Sequence, residues 1–387
     1  MRVVGLMSGT SYDAVDVVAA EFTAEGETLW LRTLGSASLE YDAELRAEIA
    51  GLLPPGTTTI GAVCRLDNRL GQLFAEAAAV GVELAGGRAD LVVSPGQTVF
   101  HWVEEGRARG TLQLGAPSWV AARVGVPVLS DLRSADIAAG GQGAPLVPAF
   151  DALLLARPAG PPRAALNLGG IANLTVVAPD APVVGYDIGP ANALIDAAAE
   201  RFHGQPCDVD GRHAAAGRVH GPLLERLLAE PYYAAPPPKS TGKELFHAGY
   251  LADVLAGLGE WIPADDVLAT LTELTARTVT DACARHGVDE VVAGGGGLRN
   301  PVLRARLVEL AAGRWRLRGT DELGVPAQAK EAYAFALLGW LSWHGLPGAL
   351  PSVTGARYGA VLGSWTPSGP PPVHPAPVAP RLLRVAD

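Results

Sequence analysis

Asp187 ends an apolar strand just before Gly189 and Pro190, and a helical stretch, NALIDAAAERF, begins at Asn192. Just upstream, two further apolar strands flank the pair Gly169 and Gly170. A glycine turn lets backbone N–H groups come close to a phosphate. A carboxylate at a strand end, beside a helix N-terminus, lies where open α/β sheets bind ligands. The stretch from Ala164 to Asn192 thus offers a phosphate cradle and an acid/base residue in one supersecondary unit. The same residues also fit a plain hairpin with Asp187 satisfied in its turn. Asn192 is predicted to cap the helix.

The N-terminus repeats the plan. The strand VVGLM runs into SGTSYD, and a second strand, VDVVAAEF, leaves it. Here the turn begins at Gly9, carries the hydroxyls of Thr10 and Ser11, and is followed by the carboxylates Asp13 and Asp16. Hydroxyls and amides suit phosphate oxygens, and carboxylates suit a magnesium shell. Two such hairpins mark the starts of two similar halves. A third small-residue turn follows the predicted strand EVVAGGGG, where Asn300 can cap a helix and Pro301 takes its first position. The run Gly295-x-Gly297 meets Asn300 where a dinucleotide fingerprint needs Gly or Ala, and no P-loop pattern occurs in the chain.

The remaining elements must hold these turns. A helical region from Tyr41 to Leu84 breaks at Pro54, Pro55 and Gly56. A strand ending at Ser94 leads into a polar turn with Gln97, Thr98 and His101. A strand ending near Asp131 leads into a Gly-rich loop with Arg133, Asp136 and Gln142, where polar side chains can face a ligand; a solvated loop is the alternative. PPPKSTGKELF reads as a Pro-rich turn before a helix start. The stretch from Asp265 to His286, closed by Gly287, is a well-signalled amphipathic helix. The helix KEAYAFALLGWLSWHG carries Glu331 near its start, and the chain from Thr366 to Pro380 reads as an irregular Pro-rich tail.

At 387 residues the chain can build two domains with proper cores. Forty acidic against thirty basic residues leave a net charge of −10, which disfavours a nucleic-acid partner. Cys64, Cys207 and Cys283 show neither metal spacing nor a disulfide framework, which suggests a reducing compartment. The apolar run after Arg2 is broken at once by Ser8, Gly9 and Thr10, and no uncharged stretch approaches a membrane span. The expectation is a soluble cytoplasmic protein with no membrane partner.

The strings GLMSGTSYDAVD, SPGQTVFH, DLRSADIAAGGQGAPLVPAF, LNLGGIANLT, GYDIGPANALID, PKSTGKELF, GGGGLRNP, KEAYAFA and LPSVTGA follow one another in order. With them the chain resembles the anhydro-N-acetylmuramic acid kinase family over nearly its whole length, within the actin, hexokinase and Hsp70 superfamily. The resemblance implies an α/β, two-lobed actin-like ATPase (ribonuclease H-like) fold with the nucleotide in the interdomain cleft. It implies an N-terminal lobe over 1–155, a C-terminal lobe over 160–345, and a returning segment with a Pro-rich tail over 346–387. The implied reaction opens the 1,6-anhydro ring of anhydro-N-acetylmuramic acid with water and phosphorylates O6, using ATP and Mg2+, in cell-wall recycling. Carried over residue by residue, Gly9, Thr10, Ser11, Tyr12, Asp13, Ala14, Val15 and Asp16 form the first ATP loop. Gly169 and Gly170 form the second, Gly295 and Gly296 lie on the adenosine side, and Asp187 is the catalytic aspartate. Gln97, Thr98, Arg133, Gln142 and Glu331 are implied for the sugar. Pro95 stands where the family commonly has His, and Ala14 and Ala191 where it has Gly, which bears on affinity or rate more than on fold. An ordinary sugar kinase of the same fold, or a non-catalytic ATP switch, are the rival readings. A homodimer is left open.

Overall fold

The computed structural model describes residues 1–9, 12–53, 56–237, 239–242, 244–368 and 381–386. In chain order its strands are β1 (Arg2–Ser8), β2 (Ala14–Glu25), β3 (Thr28–Glu40), β4 (Leu91–Val93), β5 (Gln97–Glu104), β6 (Arg107–Leu114) and β7 (Val128–Ser130). There follow β8 (Arg163–Leu168), β9 (Ile171–Val177), β10 (Val184–Pro190), β11 (Glu290–Gly294), β12 (Arg316–Gly319), β13 (Ser364–Thr366) and β14 (Leu382–Val385). The chain divides into two units, Met1–Ala156 with Leu323–Asp387, and Arg157–Glu322.

The first unit is built on the sheet β13-β7-β4-β1-β2-β3-β14. β1 and β2 form an antiparallel hairpin, β2 pairs antiparallel with β3, and β1, β4 and β7 run parallel. The sheet is covered on both faces, so β1 is almost continuously apolar instead of alternating. Val4 and Leu6 pack with Leu66, Leu70 and Phe74 of the helix Ile60–Leu84. Val3 packs on the other side, with Ala332, Ala336 and Trp340 of the helix Lys330–Trp343. Gly5 lets that second helix settle on the strand, because a Cβ there would lie 2.5 Å from the Ala332 carbonyl oxygen. The helix therefore belongs to the first unit, which corrects the boundary at 345 expected from the sequence. It reaches the β1 sheet through packing that no local pattern encodes.

The second unit is built on the sheet β10-β9-β8-β11-β12. β8, β9 and β10 are antiparallel neighbours, and β8, β11 and β12 run parallel. Its five-strand order repeats β3-β2-β1-β4-β7 of the first unit, with the same orientations. The two similar halves expected from the paired hairpins are thus present as two sheets of one topology. The helix Ala264–His286 is buried on two sides. Leu268, Leu271 and Leu274 meet the helices Asn192–His203, Gly221–Leu228 and Ala248–Leu258, while Ala276, Val279 and Cys283 meet the sheet. Gly287 closes it in the left-handed conformation.

Local readings differ in four places. Asp187 does not end its strand but lies inside β10, which continues through a register shift to Pro190. Gln97, Thr98 and His101 lie on β5, not in a turn. Asn192 does not cap: it is the first residue of its helix, and its Nδ2 donates to the Leu168 carbonyl at 3.3 Å. Among the described residues of PKSTGKELF none is helical, and the next helix starts at Ala248, capped by His247. Asn300 does cap, accepting from the Val302 and Leu303 amides at 3.0 and 3.1 Å, with Pro301 behind it.

Candidate functional site

In the second unit the β8–β9 turn, the end of β10 and the glycine run after β11 meet. The Gly169 carbonyl accepts the Asn192 amide, and the Gly170 carbonyl accepts those of Ala191 and Ala193. The start of the helix is therefore stitched to the glycine pair through the amides of Ala191, Asn192 and Ala193. Gly295 sits at φ +89°, and a Cβ there would lie 2.7 Å from both Asn167 Oδ1 and the Leu168 carbonyl. Gly296 faces open space, with only Asn192 Nδ2 at 4.0 Å from a notional Cβ. Both glycine turns thus border Leu168 and Asn192.

Asp187 lies at a break in register between β9 and β10, where Asp187 pairs with Asn173 but Gly189 with Ala172. Such a bulge re-aims a side chain. Oδ2 of Asp187 accepts from Ser240 Oγ at 2.7 Å and from the Thr241 amide at 3.1 Å. Among the described residues no hydrogen bond reaches Oδ1. Burial pushes this carboxyl above the ordinary aspartate range, Ser240 and Thr241 pull it down, and Glu244 adds to the rise. Thr241 Oγ1, close by, is buried with no partner among the described residues.

In the first unit the turn after β1 is braced from beneath. Ser8 Oγ donates to Gln97 Oε1 and lies 2.6 Å from Tyr41 Oη, while Gln97 Nε2 donates to the Gly9 carbonyl at 3.2 Å. Tyr12 takes a left-handed φ of +42°, and its amide returns to the Gly9 carbonyl. Ala14 and Val15 begin β2, with Val15 buried in the core. Thr10 and Ser11 lie outside the described residues. Burial raises the Asp16 carboxyl, Ser38 opposes this, and the Asp13 charge adds to it.

Arg133 and Glu331, distant in sequence, come together in the same unit as Asp16. Burial lowers the Arg133 guanidinium, and Glu331 opposes that shift. Arg133 Nη1 donates to the Gly143 carbonyl at 2.9 Å, and its guanidinium carbon lies 6.0 Å from the Phe335 ring centroid. Surrounding protein raises Glu331 most, Arg133 opposes, and Asp16 adds to the rise. Glu331 itself is exposed.

Other expected sugar contacts are engaged within the unit. Thr98 Oγ1 accepts from Gln113 Nε2 at 3.2 Å. Gln142 bridges the β5–β6 hairpin, accepting from the Ala108 amide at 2.9 Å and donating to the Gly106 carbonyl at 3.1 Å. Gln97 likewise spends its amide on the Gly9 turn. Pro95 is buried between β4 and β5. Ser240, Thr241 and Tyr232 were not singled out from the sequence; the only signal for Ser240 and Thr241 was the string PKSTGKELF, and Tyr232 had none.

His203, His213 and Asp265 form the one cluster of three potential metal ligands among the described residues. The two imidazoles stack at 3.6 Å with 19° between their planes. Ligand lone pairs lie in the ring plane, so those of near-parallel stacked rings run side by side instead of converging on one ion. The cluster reads as a stacked pair hydrogen-bonded to Asp265 through His213 Nδ1 at 2.9 Å.

The same five-strand order twice, each opened by a hairpin, defines a duplicated α/β fold of the ribonuclease H-like kind. The chain belongs to the anhydro-N-acetylmuramic acid kinase family, whose model matches residues 1–368. It is 59% identical to the anhydro-N-acetylmuramic acid kinase of Streptomyces avermitilis over 95% of this chain and 94% of that one. It is 57% identical to that of Streptomyces coelicolor over 100% and 99%. Among solved structures, a ROK family glucokinase from Streptomyces griseus in complex with glucose and AMPPNP aligns with a TM-score of 0.36 at 15% identity, covering 87% of this chain and 97% of its own. No helix among the described residues is long and apolar enough to cross a membrane.

Proposed function

We propose that this chain is an ATP-dependent kinase that hydrolyses the 1,6-anhydro ring of anhydro-N-acetylmuramic acid and phosphorylates O6, in cytoplasmic recycling of cell-wall fragments. The observation that carries the reading is Asp187, a bulge-aimed carboxylate in the family's catalytic string with one oxygen held and the other left for a proton. Water attacks the anomeric carbon and gives its proton to Asp187 Oδ1. The bond from that carbon to O6 breaks, and O6 takes the γ-phosphoryl group of ATP, leaving ADP. Asp187 then returns the proton to solvent. A positioned base of this kind contributes typically ~10²- to 10⁴-fold, and burial that raises its pKa strengthens it as a base.

The oxygen-donor set Asp13 and Asp16 fits a hard divalent cation, and the raised Asp16 carboxyl marks a place where added positive charge is favourable. Asp16 and Asp13 would hold Mg2+ there, and bound Mg2+ would neutralise phosphate charge. Gly9, Gly169, Gly170, Gly295 and Gly296 are the backbone positions proposed for ATP. Arg133 and Glu331 are proposed for the sugar.

The test uses ¹⁸O-labelled water with the anhydro sugar. The anomeric oxygen of the 6-phosphate product carries label when read before that hydroxyl exchanges, and Asp187→Asn loses turnover while still binding ATP. Product without label indicates an ordinary sugar kinase. Asp187→Asn with near-normal turnover removes Asp187 as the base.

A further inference from the structure

We propose that Ser240 is a positioning residue for Asp187: its hydroxyl and the Thr241 amide pin Oδ2, so that Oδ1 alone is presented to the reacting water. This rests on the reading of Asp187 as the base.

The strap that carries Ser240 is tied to both sides of Asp187. The Asp187 amide donates to the Lys239 carbonyl at 3.3 Å, and Tyr232 Oη donates to the Asp187 carbonyl at 2.7 Å. Lys239 Nζ closes the ring, donating to the Tyr232 carbonyl at 2.9 Å and sitting 4.5 Å from the centroid of the Tyr232 ring. Backbone amide, backbone carbonyl and one carboxylate oxygen of Asp187 are thus all held, by Lys239, Tyr232, and Ser240 with Thr241. A carboxylate free to turn about its Cβ–Cγ bond would present either oxygen, and part of the time neither. Two donors on one oxygen remove that freedom. They also favour the charged form, which keeps a carboxylate in an otherwise unfavourable setting ionised and able to accept a proton. Through Lys239, Ser240 and Thr241 the motif PKSTGKELF acquires a role by this arrangement.

Ser240 is exposed, so its substitution spares the core. The experiment measures turnover of the full-length protein against pH at saturating ATP for wild type, Ser240→Ala, Ser240→Thr and Asp187→Asn. Ser240→Ala should lower kcat roughly ten- to a hundredfold, the worth of a hydrogen bond to a charged group. It should leave the KM values for ATP and sugar near wild type and move the acidic limb of the profile to higher pH. Ser240→Thr should restore both. A Ser240→Ala enzyme with wild-type kcat and an unmoved acidic limb overturns the inference while leaving Asp187 as the base. A higher KM for the sugar with the limb unmoved also overturns it, making Ser240 a substrate contact. Full activity in Asp187→Asn removes the base reading and this inference with it.

Discussion

Thr354 Oγ1 donates to Asp136 Oδ1 at 2.7 Å, joining two buried residues 218 positions apart in the first unit. Oδ2 of the same carboxylate takes the Gly143 amide at 2.8 Å, and the Gln142 amide donates to the Thr354 carbonyl at 2.9 Å. The Gly-rich loop that carries Arg133 and Gln142 is thus shaped around one aspartate and locked by a threonine from the far end of the chain.

Asp136→Ala should destabilise the protein by about 3–5 kcal/mol, because a buried amide and hydroxyl lose their acceptor together. Thr354→Val removes one bond and should cost about 1–3 kcal/mol. Urea unfolding of both variants and of the double variant checks this. The double should fall short of the sum, since the two residues share an interaction; strict additivity would show that they act independently.

The two adjacent glycines of the run after β11 should behave oppositely. Gly295→Ala places a side chain at positive φ against Asn167 and Leu168, and should lower the melting temperature with or without ligand. Gly296→Ala meets open space and should leave the melting temperature unchanged. If ATP approaches the backbone there, Gly296→Ala should weaken ATP binding in calorimetry all the same. Unchanged affinity would take Gly296 out of the ATP site.

Acid should inactivate this enzyme at a pH above the range of a free aspartate. Burial raises Asp187 most, and Glu244 raises it further. A base works only when deprotonated, so activity falls as pH drops through its raised pKa. Glu244→Gln removes the neighbouring negative charge and should move the acidic limb of kcat to lower pH. A limb that stays in place would mean that another group sets it.

Glu273 in the helix Ala264–His286 tests pH-dependent stability away from the site. Its side chain is 3% exposed, and it accepts from Arg277 Nε at 2.6 Å and Arg306 Nη2 at 2.9 Å. Burial raises its carboxyl, but Arg306 and then Arg277 outweigh burial and hold it below the usual range. A depressed folded-state pKa gives stability that is present above the unfolded value and lost as pH falls through the folded one. Glu273→Gln should therefore cost about 3 kcal/mol at neutral pH. The difference from wild type should shrink below about pH 4.3. Denaturant curves at several pH values decide it; a penalty constant with pH would mean that shape, not charge, holds this contact.

The sequence by itself determined what depends on near neighbours. The hairpins β1–β2 and β8–β9, the strand that carries Asp187, the Asn300 cap and the helix closed by Gly287 are each written in a few consecutive residues, because backbone sterics, capping and apolar period act over that range. The repetition of the hairpin also made the two halves legible, and the ordered strings carried the family. Only the tertiary structure decided which distant residues share an environment. Asp16, Arg133 and Glu331 come together because the helix that follows residue 323 packs back on β1, where Gly5 leaves it room. Ser240 reaches Asp187 because Tyr232 and Lys239 tie an irregular strap to β10. Gln97 and Gln142, polar and well placed in the sequence, turned out to brace the Gly9 turn and the β5–β6 hairpin. A polar side chain in a loop looks the same to the sequence whether it faces a ligand or a backbone carbonyl, and only the partner's position in space distinguishes the two.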